Sequence, residues 1–485
     1  MGASNNFGIG GIFYSDPPGL YIDRDSGDII TASSTVGDYD VYYSRDPDFG
    51  TWSRIGADIN AVVGSRGFIE NNNRNGISVR LNAAGNVLIT LSPHSSNNAT
   101  KAGQMRAFYN NNGTWERIGH NIGGETSQTY WAENNTAHIA VNDAGDIIAM
   151  SNPENDSGCS DCGRVIVLKR KNGIWSQLGS EIHGENANVG KKYFGLSIAL
   201  NSAGDVLAIG DEKDKEAGAN KGIVHIYEFN GTDWVRKGAT GKINPPDYGD
   251  TTPNWGWSVD LDSSGNTIVI GSRQWSSNSG RFAVYEYNAP NWNQKGDSQS
   301  GKGWAGGGGI VDDKFGYDVS INAQGNMILV GSPFHHSLNK GRADAYRYNP
   351  IDNTWKWWHT ANNEIRDTDS QSRAGWSVAL NASGNTAVMG ETQKYDYNKK
   401  GRVTAYRQTL KIHSGVLKPK WKQIGIDIIS PGATNNRAMF GWSVDLNAKG
   451  NIIAVGAPNH NVGGGGNDEG KVRVYELNMD NTREP

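Results

Sequence analysis

The fold is decided by one stretch near the end of the chain, Phe440-Gly-Trp-Ser-Val-Asp-Leu-Asn-Ala-Lys-Gly450-Asn-Ile-Ile-Ala-Val-Gly-Ala-Pro458. Its first part, Trp442 to Leu446, alternates large apolar with small or polar residues, which is the period of a β-strand. Its last part, Ile452 to Gly456, is apolar on both faces and predicts a strand that is covered on both sides. Gly450 stands between them, where a bulged hairpin requires the left-handed backbone conformation. The stretch therefore predicts a β-hairpin with a buried second strand.

The same pattern is repeated along the whole chain. In each repeat the turn glycine is followed by a second glycine, which stands five residues before an aromatic or large apolar residue, as Gly401 does before Tyr406. A tryptophan such as Trp421 comes next, and the eighth repeat lacks it because the sequence stops first. The turn glycines lie 58 to 66 residues apart, at Gly27, Gly85, Gly145, Gly204, Gly265, Gly325, Gly384 and Gly450.

Repeats of this kind predict a closed ring. The landmarks divide each repeat into four short strands, and a strand buried on both faces needs neighbours on both sides, which radial stacking supplies. We therefore predict an all-β chain with a single β-propeller domain at 1–485, made of eight four-stranded antiparallel blades, with a seven-bladed ring as the alternative. Residues 1–14, which include Phe7–Phe13, are predicted to supply the fourth strand that the last repeat lacks. The repeat units span approximately residues 15–66, 67–127, 128–186, 187–246, 247–305, 306–365, 366–430 and 431–485.

The run Phe-Gly-x-Ser-Val, followed by the turn and by Val-Gly-Ala-Pro, resembles the FG-GAP repeat of the integrin α-subunit propeller. Phe194-Gly195, Phe315-Gly316 and Phe440-Gly441 keep its first element, and Gly456-Ala-Pro458 keeps the second. The resemblance covers almost the whole chain and implies a propeller, although integrin propellers have seven blades. It implies much less about activity, because one fold hosts many functions. The Asn-rich turns are also similar to those of repeat proteins from large DNA viruses and marine protists.

Integrin propellers bind calcium at the first hairpin of a blade, which bears on the cofactors expected here. Most turns in this chain read Asn-Ala-Ala-Gly or similar and offer too few hard oxygen ligands for Ca²⁺. The first repeat comes closest, with Asp23, Asp25 and Asp28. These three carboxylates are the candidate Ca²⁺ ligands, with a solvated hairpin as the alternative, and no other cofactor is expected.

Composition limits the partners and the compartment. The formal net charge is −4 with scattered Lys and Arg, so no nucleic-acid partner is expected. No apolar stretch approaches the ~20 residues that span a bilayer, so no membrane insertion is expected, and the N-terminus shows no signal-peptide pattern. Cys159 and Cys162 have no second pair to complete a zinc site, so we expect a local disulfide or two free thiols. An extracellular, cell-surface or virion location follows only from the binding role proposed below.

Loop lengths predict which face of the ring carries function. The connection after the second strand and the link between repeats are long and variable, for example at residues 92–102 and 391–400, and both emerge on one face. We call this the long-loop face, and variable loops on a rigid scaffold are where binding residues usually lie. Aromatic and charged residues on its loops in units five and six are the predicted ligand site, with coverage of the loops' own cores as the alternative. They are Arg273, Trp275, Trp304, Asp312, Asp313, Phe334, His335 and His336.

Other recurring residues are assigned to packing. The tryptophans that open the fourth strands, and Trp257, Trp376 and Trp442 in the first strands, are predicted to pack between blades. A series of first-strand serines, with His138 and Asp318 at equivalent positions, invites comparison with a hydrolase. Catalysis needs one constellation and not a ring, so these side chains are predicted to bond backbone groups between blades, and no catalytic residue is assigned.

These observations favour a non-enzymatic recognition or adhesion module that binds a protein or carbohydrate ligand through the long-loop face. One alternative is an enzyme, such as a glycan lyase or hydrolase, that uses the central funnel. A second alternative is a structural subunit of a larger assembly. The identity of the ligand and the oligomeric state do not follow from the sequence.

Overall fold

Strand pairing in the computed structural model gives seven antiparallel blades. Each inner strand contacts the inner strand of the next blade, and the last contacts the first, so the ring is closed. The count of eight blades is therefore wrong, and the seven-bladed alternative is confirmed. The residues that the structure describes are 21–22, 29–31, 39–41, 50–60, 73–95, 103–123, 138–153, 155, 162–185, 193–216, 221–246, 254–301, 312–335, 339–358, 365–366, 371–393, 400–413, 416–430, 438–461 and 468–478.

The described residues place five short strands ahead of the first blade. They are β1 (Tyr21–Ile22), β2 (Ile29–Thr31), β3 (Tyr39–Val41), β4 (Thr51–Arg54) and β5 (Ile59–Asn60).

Each blade then repeats one meander: an inner strand, a buried second strand, a long third strand, and an outer strand broken into two pieces that both pair with the third. Blade 1 comprises β6 (Ser78–Leu81), β7 (Val87–Ser92), β8 (Gln104–Asn111), β9 (Thr114–Arg117) and β10 (Ile122–Gly123). Blade 2 comprises β11 (Ile139–Val141), β12 (Ile147–Asn152), β13 (Arg164–Lys171), β14 (Ile174–Gln177) and β15 (Ile182–His183). Blade 3 comprises β16 (Phe194–Leu200), β17 (Val206–Asp211), β18 (Ile223–Phe229), β19 (Trp234–Arg236) and β20 (Lys242–Ile243).

The remaining blades follow in the same order. Blade 4 comprises β21 (Ser258–Leu261), β22 (Thr267–Ser272), the helical turn α1 (Trp275–Asn278), β23 (Arg281–Asn288), β24 (Asn291–Gln294) and β25 (Gln299–Ser300). Blade 5 comprises β26 (Val319–Ile321), β27 (Met327–Ser332), β28 (Arg342–Asn349), β29 (Thr354–Trp357) and β30 (Ile365–Arg366). Blade 6 comprises β31 (Ala374–Leu380), β32 (Thr386–Glu391), β33 (Arg402–His413), β34 (Val416–Gln423) and β35 (Ile428–Ile429), and blade 7 begins with β36 (Ser443–Leu446), β37 (Ile452–Ala457) and β38 (Lys471–Asn478).

Blade 7 is completed by residues from the first repeat. β38 pairs with β4, with Leu477 opposite Trp52, and also with β5. The predicted closing strand at residues 1–14 lies outside the described residues, and its expected place is taken by Thr51–Arg54. The physical reason is that the outer strand of each blade contains a tryptophan, and Trp52 is the one that the last repeat lacks. In the described residues the first repeat thus adds strands to other blades, since β3 also pairs with β33 of blade 6.

The hairpin predicted from Gly450 is formed as expected. Gly450 has φ +74°, and the side-chain oxygen of Asn447 accepts the backbone N–H groups of Asn451 and Ile452 at 3.0 and 2.9 Å. The hairpins of neighbouring blades are joined by backbone hydrogen bonds of 3.0 to 3.2 Å. The donor and acceptor residues, in order around the ring, are Ala83 to Asp143, Asp143 to Ser202, Ser202 to Ser263, Ser263 to Ala323, Ala323 to Ala382, Ala382 to Ala448, and Ala448 to Ala83.

The outer-strand tryptophans form a second ring of contacts, as the sequence predicted. Each indole N–H donates to a backbone carbonyl of the preceding blade, for example from Trp355 to Lys295 at 2.8 Å. The remaining pairs are Trp52 to Ile424, Trp115 to Ile55, Trp175 to Ile118, Trp234 to Leu178, Trp292 to Lys237, and Trp421 to Trp358. The apolar core is likewise divided between blades, and Phe282 of blade 4 lies 4.9 Å from Tyr346 of blade 5, ring centre to ring centre.

Two further features of the described residues bear on the sequence predictions. Cys162 is disulfide-bonded, and because the chain has 2 cysteines its partner is Cys159, which lies outside the described residues. The predicted choice between a local disulfide and free thiols is therefore resolved as a disulfide. No helix in this part of the chain is long and apolar enough to cross a bilayer.

Candidate functional site

The inner strands of all seven blades surround a cavity of about 440 Å³ on the propeller axis. Its wall changes in character along the inner strands. The residue at the start of the strand is apolar or aromatic, as Trp257 is, and polar residues such as Asp260 lie further along, so the two define an upper and a lower part of the channel.

Four aromatic residues lie side by side in the upper part. Trp257, Tyr317, Trp376 and Trp442 each follow a glycine at the start of the inner strand, in blades 4 to 7, and we call them the aromatic arc. Neighbouring ring centres are 5.6, 4.8 and 4.8 Å apart at angles of 50°, 47° and 48°. All four residues are half-buried. Among the described residues the aromatic rings line one side of the channel, because blades 1 and 3 carry aliphatic residues at this position.

The aromatic arc lies at the long-loop end of the channel. An inner strand begins where the link between blades ends, and the antiparallel second strand finishes at the same level, as the pairing of Ser258 with Gly271 shows. Arg273, which directly follows β22, accordingly reaches the aromatic arc, and its guanidinium carbon lies 3.4 Å from the ring centre of Trp257. In blade 4 the connection that follows β22 therefore begins beside these rings.

A second group of side chains packs against the other half of the aromatic arc. Phe334 lies 6.2 Å from Tyr317 and 6.5 Å from Trp376, measured between ring centres. The guanidinium of Arg373 lies 5.0 Å from the ring centre of Phe334 and 5.6 Å from that of Trp376, and the ammonium of Lys314 lies 4.3 Å from Phe334. Such stacking is favourable because an aromatic face carries partial negative charge.

The lower part of the channel holds three carboxylates and one arginine. Burial raises the pKa of Asp260 to about 7 and also raises the pKa values of Asp318 and Asp445, while the positive charge of Arg80 acts in the opposite direction on all three. Burial, with a further contribution from Arg80, lowers the pKa of His138 to about 4. This histidine is therefore neutral at pH 7.

These carboxylates bond the backbone of neighbouring blades. Asp260 accepts the N–H of Ile321 at 2.8 Å, and Asp445 accepts the N–H of Leu81 at 2.6 Å, across the junction between the last blade and the first. Asp318 likewise accepts the N–H of the blade 6 strand, from Val378 at 2.8 Å. Serines of the same series act similarly: Ser377 accepts the N–H of Val444, and the hydroxyls of Ser197 and Ser443 donate to the carbonyls of Gly256 and Gly76. The prediction that the polar first-strand side chains bond backbone groups between blades is confirmed for Asp318, Ser197, Ser377 and Ser443.

The predicted ligand residues lie in different surroundings. Arg273 and Phe334 are brought to opposite parts of the aromatic arc. His335 is buried, with its Nδ1 atom 3.2 Å from Oδ1 of Asp313, and Asp312 is exposed. Trp304 and His336 lie outside the described residues, and so do the candidate calcium ligands Asp23, Asp25 and Asp28.

Trp275 differs from the exposed aromatic that was expected. It is only 5% exposed, and the guanidinium of Arg281 lies 4.2 Å from its ring centre. This burial and this contact agree with the alternative, in which the side chain of Trp275 covers the core of its own loop. Its role in ligand binding stays a prediction.

One buried cluster has the composition of a metal site. Potential ligand atoms of Asp211, Asp214 and His225 lie within 4.8 Å of one another. However, Nδ1 of His225 lies 3.1 Å from a guanidinium nitrogen of Arg236, which can only donate a hydrogen bond. Neutral His225 must then carry its proton on Nε2, and a protonated nitrogen does not bind a metal. The cluster therefore does not fit a metal centre, because the nitrogen of His225 left to face the carboxylates is the protonated one.

Sequence reasoning missed the aromatic arc, because Trp257, Trp376 and Trp442 were assigned to packing between blades. The signal was present as an asymmetry: the residue after the glycine is aromatic in blades 4 to 7 but Ile77 in blade 1 and Leu196 in blade 3. Comparison with known protein families and with curated proteins found no match to the chain.

Proposed function

We propose that this chain is a recognition module that binds a protein or carbohydrate ligand across the aromatic arc, at the long-loop end of its central channel. The observation that carries the proposal is the set of four adjacent, half-buried aromatic rings with arginines stacked against them. Tryptophan, tyrosine and arginine are the residues that most often dominate binding energy at interfaces.

Hydrogen-bonding capacity at the aromatic arc supports this role. Within the part of the chain that the structure describes, the indole N–H groups of Trp376 and Trp442 have no acceptor, whereas that of Trp257 donates to the carbonyl of Tyr317 at 2.9 Å. A ligand acceptor placed over these rings would gain two donors. The FG-GAP resemblance and the surface location remain predictions, and the disulfide at Cys162 favours an oxidising compartment.

The enzyme alternative has one observation in its favour. A pKa of about 7 for Asp260 suits a general acid or base. Both of its oxygens, however, accept backbone N–H groups, from Leu261 at 2.9 Å and Ile321 at 2.8 Å. This carboxylate is therefore engaged in joining blades 4 and 5, which favours recognition over catalysis.

The test is a screen of the labelled chain against a glycan array and a displayed peptide library, followed by affinity measurements on the strongest binders. Trp376→Ala is expected to weaken binding at least about tenfold, the usual scale for a central aromatic contact. The matched control is Tyr109→Ala, which removes a 43% exposed ring from the third strand of blade 1 and should leave binding unchanged. Undiminished binding by a folded Trp376→Ala variant would show that the ligand binds elsewhere.

A further inference from the structure

We propose that the ligand of the aromatic arc is an acidic oligosaccharide, whose carboxylate or sulfate groups pair with Arg273 and Arg373. This inference rests on the proposed function, because it concerns the same site, and it adds the chemical class of the ligand. It is carried by two half-buried guanidinium groups that the protein itself does not neutralise at close range.

Neither guanidinium has a carboxylate within ion-pair distance among the described residues. The Nε atoms of Arg273 and Arg373 are both buried without a hydrogen-bond acceptor. The charge of Glu212 raises the pKa of Arg273, but the Glu212 side chain accepts a hydrogen bond from Asn254. For Arg373, the group that raises the pKa is the phenol of Tyr317. Burial lowers the pKa of each guanidinium, so an anion bound beside them would relieve an electrostatic cost.

Four other arginines of this chain are paired with carboxylates of the protein. Arg402 is paired with Glu391 and Asp427, and Arg473 is bonded through two nitrogens to Asp58. The pairs Arg342 with Asp344 and Arg164 with Glu181 follow the same rule. These four arginines meet carboxylates of the protein, whereas the two at the aromatic arc, like buried Arg106 in blade 1, have none within ion-pair distance among the described residues.

A carbohydrate fits the neighbouring surface better than a peptide does. The four rings of the aromatic arc follow one another at angles of 47° to 50°, and a pyranose has C–H groups that pack on aromatic rings and hydroxyl groups around its rim. The free indole N–H groups of Trp376 and Trp442 can donate to those hydroxyls. Guanidinium groups bind carboxylate and sulfate in a planar, two-point fashion, which neutral sugars cannot use.

The experiment compares four probes in direct titrations: a galacturonate oligosaccharide, a sulfated galactan oligosaccharide, a neutral galactan oligosaccharide of equal length, and a poly-glutamate peptide. At least one acidic sugar is expected to bind ten times more tightly than the neutral sugar, and the two acidic arms tell carboxylate from sulfate. Arg273→Gln with Arg373→Gln should abolish that preference, so that acidic and neutral sugars bind the variant with affinities within about twofold of each other. The matched control, Arg347→Gln, removes a guanidinium stacked 4.7 Å from Trp358 on the outer part of blade 5 and should change nothing.

Three results would overturn the inference: equal binding of acidic and neutral sugars, tighter binding of poly-glutamate, or an acidic preference that survives the double substitution. Absence of binding by all four probes would overturn it as well. Failure of the binding site itself is distinguishable, because Trp376→Ala would then leave the affinity for whichever probe binds unchanged. An acidic preference that disappears in the double variant, but not in Arg347→Gln, would establish the ligand class.

Discussion

The backbone N–H of Ala448 donates to the carbonyl oxygen of Ala83 at 3.0 Å, and so joins the hairpin of the last blade to that of the first. Six equivalent bonds join the other hairpins, so the ring closes after seven steps, and β1 and β2 pair with each other in a separate two-stranded sheet. The same junction is held by Trp115, whose indole N–H donates to the carbonyl of Ile55, directly after β4, at 3.1 Å. Closure therefore depends on the pairing of β4 with β38, two segments from opposite ends of the chain.

A disulfide across this junction should stabilise the whole ring. Ser53 lies opposite Glu476 in the β4–β38 pair, so Ser53→Cys with Glu476→Cys would tie one end of the chain to the other. A disulfide that closes a long loop restricts the unfolded chain and typically adds about 2–4 kcal/mol to the free energy of unfolding. The measurement is the thermal midpoint with and without reductant, after confirming the bond by mass spectrometry.

The matched control for that disulfide is the equivalent pair inside blade 2, where Ser176 lies opposite Lys169. Both are exposed, and cysteines there would close only a hairpin, so the gain should be much smaller. Equal gains from the two pairs would contradict the closure of the ring by β4.

The glycines against which the outer-strand tryptophans pack provide a second test of the contacts between blades. Gly296 has φ +73°, and a Cβ atom there would lie 2.8 Å from Cδ1 of Trp355. Gly173 has φ +78° with nothing within 4 Å of the same position. Gly173→Ala should cost about 1–2 kcal/mol from backbone strain alone, and Gly296→Ala about 1–3 kcal/mol more from displacement of Trp355. Urea unfolding measures both, and equal losses would mean that the tryptophan contact contributes nothing.

The strands and the ring could be predicted from the sequence because the landmarks have local causes. A hairpin needs its left-handed glycine, and a second strand buried on both faces must be apolar throughout, as Ile452–Gly456 is. The blade count could not be predicted in this way. Eight landmarks are present, but Trp52 completes the last blade, and only strand pairing over the full length of the chain shows this.

The candidate site was partly predictable for a related reason. Arg273 and Phe334 were identified because they lie in variable loops. Trp376 and Tyr317 are about sixty residues apart in sequence and become neighbours at 4.8 Å only when the ring closes. No local pattern encodes that distance, so residues that line the channel look like residues that pack between blades.

Buried His225 should make the propeller sensitive to acid. Burial, together with the charges of Arg236 and Lys242, lowers the pKa of this histidine to about 3, whereas the unfolded chain takes up the proton near pH 6.5. Between these values the unfolded state binds one more proton, so stability falls as the pH falls. At pH 5 the loss is about 2 kcal/mol relative to pH 7.5.

His225→Gln keeps an acceptor for Arg236 but does not titrate, so this variant should lose about 2 kcal/mol less than the wild type between pH 7.5 and pH 5. Chemical denaturation at the two pH values measures the difference, and the other titrating groups cancel in the comparison. Parallel losses in the two proteins would show that His225 is protonated in the folded state.

Arg80 should stabilise the ring more at high pH than at low pH. The raised pKa values of Asp260, Asp318 and Asp445 mean that the folded state retains protons that the unfolded state has released, so these groups lower stability as the pH rises. For Asp260 the window runs from about 4 to 7. The charge of Arg80 opposes this loss, and it matters more at pH 8, above the pKa of Asp260, than at pH 5. Arg80→Gln should therefore lose on the order of 1 kcal/mol or more at pH 8 and much less at pH 5, while Arg347→Gln on the outer part of blade 5 should show no such difference. The measurement is the thermal midpoint of each variant at the two pH values. A loss of equal size at both would mean that Arg80 acts through packing and not through its charge.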